Sequence, residues 1–300
     1  MIRTIAIVHR SENAEYQCLL CCNGTEVSVS ATLNIHSDHF GFDYGTADII
    51  CQIPEVCPTP EHVAITSKSP KENGSLQYIH AFQPVRNQQK QEVFRYEFTV
   101  CISTMFDYEN VLLLVQAMEM FKILGVQKVA IYKTNCSNVI QKVLDYYISQ
   151  DFVELIPWSV SSYINVSRGW RKWKSLGELH YFGQIAALND CLYRYMYKSH
   201  YVALQDLDEF ILPLNLNNWT ELLPELERKH GQESKCHACH PSSHHTKMAV
   251  MPEASAKIAI TPEPSAILNI IPESTACEGV IPESSATMNT ISVARVMSVT

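Results

Sequence analysis

Any packed core in this chain has to be assembled before residue 220. All 28 aromatic side chains, 14 Tyr, 10 Phe and 4 Trp, lie at or before Trp219, and none follows it in a sequence of 300 residues. Aromatic rings bring the largest apolar areas to a core. A segment lacking both rings and long apolar periods has little to offset the entropy lost on ordering its backbone. Folded structure is therefore expected to end near Gly231. Beyond that point Met251-Pro252-Glu253-Ala254-Ser255-Ala256 recurs as Thr261-Pro262-Glu263-Pro264-Ser265-Ala266, Ile271-Pro272-Glu273-Ser274 and Ile281-Pro282-Glu283-Ser284-Ser285-Ala286, a period of ten residues. A proline in every copy and small residues around it predict a disordered C-terminal repeat tail over 232–300 rather than a solenoid.

Upstream of the tail the sequence changes rhythm once. Residues 1–95 hold short apolar runs at 4–8, 15–21, 26–33 and 62–66, separated by Gly and Pro clusters such as Cys57-Pro58-Thr59-Pro60, which predicts a small β-rich domain. From Glu97 the pattern alternates. Strands are expected at 98–104, 128–133, 152–158 and 201–205. Helices are expected at 108–124, stopped by Gly125 at the C′ position, at 138–150, with Val139, Val143, Tyr146 and Tyr147 on one side, and at 179–197. Such alternation over 96–231 predicts an α/β domain with a mostly parallel sheet, whose ligands bind beyond the carboxyl ends of the strands.

Charge and cysteine usage narrow the class of partner. The net charge is −8, and residues 251–300 carry five Glu against Lys257 and Arg295, so the remainder is only mildly acidic. A nucleic-acid groove or a polybasic membrane patch would need concentrated Lys and Arg, and neither is expected. The longest apolar stretch, 111–124, is interrupted by Gln116, Glu119 and Lys122 and is too short to span a bilayer. The run at 1–10 is about half the length of a signal-peptide apolar region. Membrane association or targeting is thus expected only through a segment absent from this sequence. Five sequons, at Asn23, Asn73, Asn135, Asn165 and Asn218, point toward the secretory lumen. Eleven cysteines are an odd number, so at least one thiol stays unpaired or pairs with another chain. Cys18-Leu19-Leu20-Cys21 has zinc-ligand spacing, but without a clear second pair it reads as disulfide or buried thiol chemistry. Cys236-His237-Ala238-Cys239-His240, with His244 and His245, has zinc donors yet lies outside the predicted fold, and no zinc site is assigned there.

The chemistry is expected at Asp206-Leu207-Asp208. An apolar strand runs straight into two carboxylates at i and i+2, which alternation along an extended chain would project to one side. Two hard oxygen donors suit Mg²⁺ or Mn²⁺, which keep positions open for water or substrate phosphate. The bland alternative is a solvated pair capping the next turn. A calcium loop would need Asp or Asn at 210 and Gly at 211, where the sequence has Phe210 and Ile211. A phosphatase of the haloacid dehalogenase type would want Thr or Val at 210 and the motif on its first strand, not its fourth. Asp107, after the first strand of the α/β domain, is either a nucleotide contact or a plain helix N-terminal residue. His180, Gln184 and Asn189 are either cleft residues or helix-surface polar groups. The segment Arg168-Gly169-Trp170-Arg171-Lys172-Trp173-Lys174 is either a phosphate or sugar grip or a solvated loop with two anchoring Trp residues.

The run from Phe182 to Arg194, Phe-Gly-Gln-Ile-Ala-Ala-Leu-Asn-Asp-Cys-Leu-Tyr-Arg, followed by Tyr201 to Pro213, resembles glycosyltransferase family 92. The resemblance begins by Cys101 and takes in Leu124-Gly125-Val126, Val143-Leu144-Asp145-Tyr146-Tyr147 and Val153-Glu154-Leu155-Ile156-Pro157-Trp158. It implies a GT-A-like (Rossmann-like) nucleotide-sugar domain preceded by a β-rich segment. Asp206 and Asp208 match the family's Asp-x-Asp and would hold Mn²⁺ (or Mg²⁺) against the diphosphate of a UDP-sugar, with Asp107, Asn189 and Asp190 near the nucleotide-sugar. By the same resemblance the enzyme would be an inverting galactosyltransferase acting on a glycan acceptor in the Golgi lumen or at its membrane. Inversion needs a general base, which such enzymes supply largely after the acidic strand. The resemblance ends soon after Leu226, so no base is assigned. A truncated, non-catalytic secretory glycoprotein that retains only the nucleotide-binding half stands as the alternative.

Overall fold

The computed structural model describes residues 1–68, 77–78, 82–88 and 93–230, together with the strands Lys247–Val250, Lys257–Ile260 and Arg295–Ser298. It divides into two units, one of residues 1–90, 160–194 and 265–300, the other of residues 91–159 and 195–264.

The first unit is built on antiparallel pairing that begins at a tight turn. Asn23 and Gly24 have φ of 50° and 79°, a combination open to these two residue types and matched to the twist of a two-residue hairpin. They join β2 (Glu15–Cys22) to β3 (Thr25–Ile35), with Cys22 opposite Thr25. Along β3, exposed Glu26, Ser28, Ser30, Thr32 and Asn34 alternate with partly buried apolar residues, as one solvated sheet face requires. β1 (Ile2–His9) and β4 (Tyr44–Cys51) pair over their whole length, and β4 lies between β1 and β3. β5 (His62–Lys68), β6 (Gln77–Tyr78) and β7 (Gln83–Pro84) complete the other side, with β5 on β2. Disulfides Cys18–Cys51 and Cys22–Cys57 tie the sheet, with Cα atoms 6.3 and 5.8 Å apart, and Cys21, Cys101 and Cys191 are disulfide-bonded as well. The Cys18-x-x-Cys21 pair is thus disulfide chemistry, as its lack of a second pair suggests. Cys136 is the free thiol among the described residues.

In the second unit the expected alternation is present. β8 (Tyr96–Met105) leads to α1 (Val111–Ile123), capped by the Asn110 side chain accepting from the Leu113 N–H. Leu114, Ala117, Met118 and Phe121 form its buried stripe at i, i+3, i+4 and i+7. Gly125 closes it at φ 91°. Its N–H bonds the Lys122 carbonyl and that of Val126 bonds the Phe121 carbonyl, the paired bonds of a Schellman motif. β9 (Lys128–Lys133), α2 (Asn138–Ser149) and β10 (Val153–Pro157) come next. The buried face of α2 is Ile140, Leu144 and Tyr147, so the expected stripe is displaced by one position, and Val139 and Tyr146 are each 57% exposed. Two stripes with equal spacing compete in this sequence, and the one bearing Ile and Leu is buried.

The chain then contributes to the first unit, where His180–Gly183 form a 3₁₀ turn and lead into α3 (Gln184–Tyr195). The expected single helix over 179–197 is broken by left-handed Tyr181 and Phe182, φ 36° and 52°. β11 (Ser199–Leu204) returns to the second sheet, and α4 (Trp219–His230) packs Trp219, Leu222 and Leu223 into its core. β10, β9, β8 and β11 lie side by side and parallel, in that order. Beyond Gly231, β12 (Lys247–Val250) and β13 (Lys257–Ile260) extend the sheet antiparallel from β11, and β14 (Arg295–Ser298) pairs with β1 in the first unit. Described strands therefore continue past the position where aromatic content predicts the fold to end. The remaining tail residues, and the Cys236 to His245 donors, lie outside the described residues.

Candidate functional site

Numbered by their order in the chain, the four parallel strands stand 3-2-1-4, so the order turns between β8 and β11. Helices on such a sheet leave a crevice beyond the carboxyl ends of the two strands flanking this switch point. Leu204, the last residue of β11, pairs with Cys101, and β8 runs on to Met105. The segments leaving the two strands, Asp107 and Tyr108 after β8 and Gln205 to Glu209 after β11, flank the crevice, and Tyr108 is near enough to feel the Asp208 charge.

The acidic pair is carried by a turn, not by an extended strand. β11 stops at Leu204, and the Glu209 N–H bonds the Asp206 carbonyl at 3.3 Å. Alternation along a strand is thus not what brings the carboxylates together. Leu207 and Ile211 are buried in the core and anchor the turn, leaving Asp208 exposed and Asp206 partly buried. Gln205, also buried, donates from Nε2 to the Glu209 carbonyl at 3.0 Å. The Asp206 carboxyl is held above its ordinary pKa, first by burial and then by the charges of Glu209 and Asp208. Neither Asp206 nor Asp208 makes a side-chain hydrogen bond or ion pair among the described residues. Across the crevice, burial and the Asp208 charge raise the Tyr108 pKa, and the Tyr108 hydroxyl is buried without a partner among the described residues.

Asp107 is held rigidly at this position. Its N–H donates to Asn135 Oδ1 at 2.5 Å, and Asn135 Nδ2 donates to Asp107 Oδ1 at 2.7 Å, fixing Asp107 at φ 46°. Helix α1 starts later, at Val111, with Asn110 as its cap, so Asp107 is not the residue that begins it. Tyr108 is not among the residues that motif and spacing single out, and Asn135 is singled out only as a sequon, not as a site residue. Their signal is topological, since both come after strands whose ends the sheet order makes neighbours.

The other candidates lie on the first unit. Asn189 donates from Nδ2 to the Ile185 carbonyl at 2.8 Å, a bond within α3. Asp190 is fully buried, and its Oδ2 accepts from Arg194 Nε and Nη2 at 3.3 and 3.2 Å. That geometry is an ion pair inside the fold and leaves no solvent-facing carboxylate for a ligand. His180 is 3% exposed and is neither a helix-surface group nor an open one. It stacks on Phe40 at 4.2 Å and meets Phe42 and Trp170 edge-on at 5.5 and 5.0 Å. Both ring nitrogens lack partners among the described residues, and burial pushes its pKa down to about 4. In the cationic segment Lys172 is committed to Asp43 at 2.6 Å, and Arg171 lies over the Trp173 ring.

Among the described residues no three His, Cys, Asp or Glu side chains gather as a closed metal cage. Two carboxylates with a third acid beside them fit a hard cation of the Mg²⁺ or Mn²⁺ kind, which takes one or two carboxylates and completes its shell with water and substrate phosphates. They do not fit zinc, which wants nitrogen and sulfur.

A parallel α/β unit with unneutralised acid at its switch point is shared by many nucleotide-using proteins. Residues 96–258 match the model of glycosyltransferase family 92, more than half of the chain, and the protein belongs to that family. It is 28% identical over 131 residues to a glycosyltransferase family 92 protein of Caenorhabditis elegans, an alignment covering 44% of this chain and 26% of that protein. The chain thus spans about a quarter of that relative's length. The family match runs on to residue 258, past Leu226, where the recognisable blocks stop and where β12 and part of β13 are added. No helix among the described residues is long and apolar enough to cross a membrane.

Proposed function

We propose that this chain binds a UDP-sugar at the crevice between β8 and β11 and transfers its hexose, galactose by family resemblance, to a hydroxyl of a glycan acceptor in the Golgi lumen. The observation that carries the reading is the unneutralised acid at the switch point, where Asp206 and Asp208 sit with no partner of their own among the described residues. In this reading the second unit is a GT-A-like domain. Asp206 and Asp208 would hold Mn²⁺ or Mg²⁺, which supplies charge neutralisation for the departing nucleoside diphosphate. Tyr108 offers a buried hydroxyl to a phosphate or ribose oxygen, and Asp107, clamped by Asn135, offers a fixed carboxylate to a sugar hydroxyl. Leu207 and Ile211 keep the acidic turn anchored as charge is exchanged above it. The disulfides of the first unit support an oxidising compartment.

A second reading has its own support. The residues at the crevice are all donor-binding in character, with none assigned as base. A non-catalytic glycoprotein retaining the nucleotide half would look the same at this site. The deciding experiment is isothermal titration of the full chain with UDP, with and without Mn²⁺, with Asp208→Asn as control, followed by transfer assays on glycan acceptors. Mn²⁺-dependent binding lost in the variant, plus transfer, supports the enzyme; binding without transfer supports the second reading; no binding by folded protein removes the nucleotide site itself.

A further inference from the structure

Four of the five sequons fall on described residues, and their side chains divide them into two pairs. At Asn135 the carboxamide oxygen accepts from the Asp107 N–H and the nitrogen donates one of its hydrogens to the Asp107 carboxylate. At Asn218 the side-chain oxygen accepts the Glu221 N–H at 3.1 Å and caps α4, next to fully buried Trp219. A sugar on the Asn135 nitrogen would crowd the Asp107 carboxylate that this nitrogen bonds, and one on Asn218 would sit on a half-buried carboxamide whose oxygen caps α4.

Asn23 and Asn165 are different. Asn23 is exposed at the tip of the β2–β3 hairpin, where Thr25 Oγ1 donates to the Cys22 carbonyl at 2.8 Å and keeps the turn closed without calling on the asparagine. Asn165 is exposed between buried Ile164 and partly buried Val166, and Ser167 after them is buried. Only the Asn165 backbone is engaged, its carbonyl accepting the Glu178 N–H at 2.7 Å. Neither side chain has a hydrogen-bond partner among the described residues, so an added glycan would displace nothing. Both positions are on the first unit, and the acidic pair is on the second.

We propose that Asn23 and Asn165 are N-glycosylated and that Asn135 and Asn218 are not, Asn135 serving instead as the clamp on Asp107. The co-reactant is a lipid-linked oligosaccharide diphosphate. The asparagine Nδ2 attacks the anomeric carbon, a C–N bond forms, the C–O bond to phosphate breaks, the amide loses one proton, and the lipid diphosphate leaves. The inference rests on the luminal reading above, since only in that compartment would the native chain meet such a donor.

The test is built to separate the two. The full chain, with Asn73→Gln to remove the sequon outside the described residues, is expressed in eukaryotic cells behind a cleavable secretion leader that delivers it to the lumen whatever its native address. Folded, disulfide-bonded protein is mapped by glycopeptide mass spectrometry. Glycans are expected at Asn23 and Asn165, one lost in Asn23→Gln and the other in Asn165→Gln, with bare peptides at Asn135 and Asn218. A glycan at Asn135 or Asn218 of the folded protein, or a bare Asn23 or Asn165, overturns the assignment without touching the question of where the native chain resides. Immunolocalisation of the untagged native protein answers that question separately.

Discussion

Burying a neutral imidazole makes this protein's stability depend on pH in a way that one substitution should erase. His180 lies among Phe40, Phe42 and Trp170 with neither nitrogen bonded among the described residues, and burial alone lowers its pKa to about 4. In the unfolded chain the same ring titrates near 6.5. Between these values the unfolded state binds a proton that the native state refuses, so stability falls as pH falls. The loss is absent above the unfolded value, grows through the window from about 6.5 to about 4, and levels off below it. A shift of this size is worth about 3 kcal/mol in full, at about 1.4 kcal/mol per unit, and most of it should have appeared by about pH 4.5.

His180→Phe keeps an aromatic ring in the cluster and removes the proton site. Urea unfolding followed by tryptophan fluorescence, with Trp170 5.0 Å from the imidazole as reporter, should be run on both proteins at about pH 7.5 and about pH 4.5. Carboxylates titrate in the same range in both proteins, so the quantity to read is the difference of differences. The wild type should lose about 2–3 kcal/mol more than the variant across that interval. Equal losses would refute the reasoning, because they would mean that the ring is hydrated or hydrogen-bonded in solution and titrates normally.

Other consequences can be checked on the same material. Asp206→Asn should raise the melting temperature of metal-free protein while abolishing Mn²⁺-dependent UDP binding. The penalty for an ionised Asp206 is fully present above its raised pKa and fades as pH falls toward the ordinary carboxylate range, so the gain should be largest at neutral pH in calorimetry. Replacing Cys18 and Cys51 together by Ser opens a loop of 33 residues and should cost about 2–4 kcal/mol in chemical denaturation under non-reducing conditions. Gly177→Ala would place a Cβ 2.4 Å from the Ser167 nitrogen, and the backbone shift needed to relieve it should cost about 1–3 kcal/mol, read as a lowered urea midpoint.

Legibility in the sequence depends on how local each determinant is. The strand at Lys128–Lys133 and the Gly125 stop can be read directly, because an apolar run and a glycine in the left-handed region are properties of a few adjacent residues. β4 escapes because its buried Asp48 breaks the apolar pattern. That charge is acceptable only beside Arg3 and His36, each 3.3 Å away and distant in sequence. The stripe on α2 is misphased because periodicity gives a spacing and not a phase. Asp190 reads as a ligand-facing acid in a recognisable block, yet its Arg194 partner one helical turn on marks it as a buried pair. The repeat copy containing Lys257–Ile260 looks like tail, but β11 has an edge open to pairing and a four-residue extended segment is sufficient to pair with it.

The geometry of the acidic turn supports the proposed cation site over the turn cap that the sequence leaves open. If Asp206 and Asp208 merely capped a turn, each carboxylate would accept a nearby N–H or face water. Asp208 does face water, but Asp206 is partly buried, its carboxylate accepts no hydrogen bond among the described residues, and it is repelled by two neighbouring acids. Folding gains nothing from a carboxylate so placed, and an asparagine or serine would serve the turn better. Local choices that oppose stability are sustained where a ligand repays them, and a cation bound by both carboxylates removes the repulsion and the desolvation penalty together. Position supplies the remaining constraint. The same turn on β10 would lie at the sheet edge, whereas on β11 it stands at the switch point beside Tyr108, whose buried hydroxyl also lacks a partner among the described residues. An unpaired hydroxyl and an unneutralised acid pair flanking one crevice support the proposed ligand, a metal-bound nucleotide diphosphate, over a structural calcium, because it is both cation-bearing and rich in acceptor oxygens.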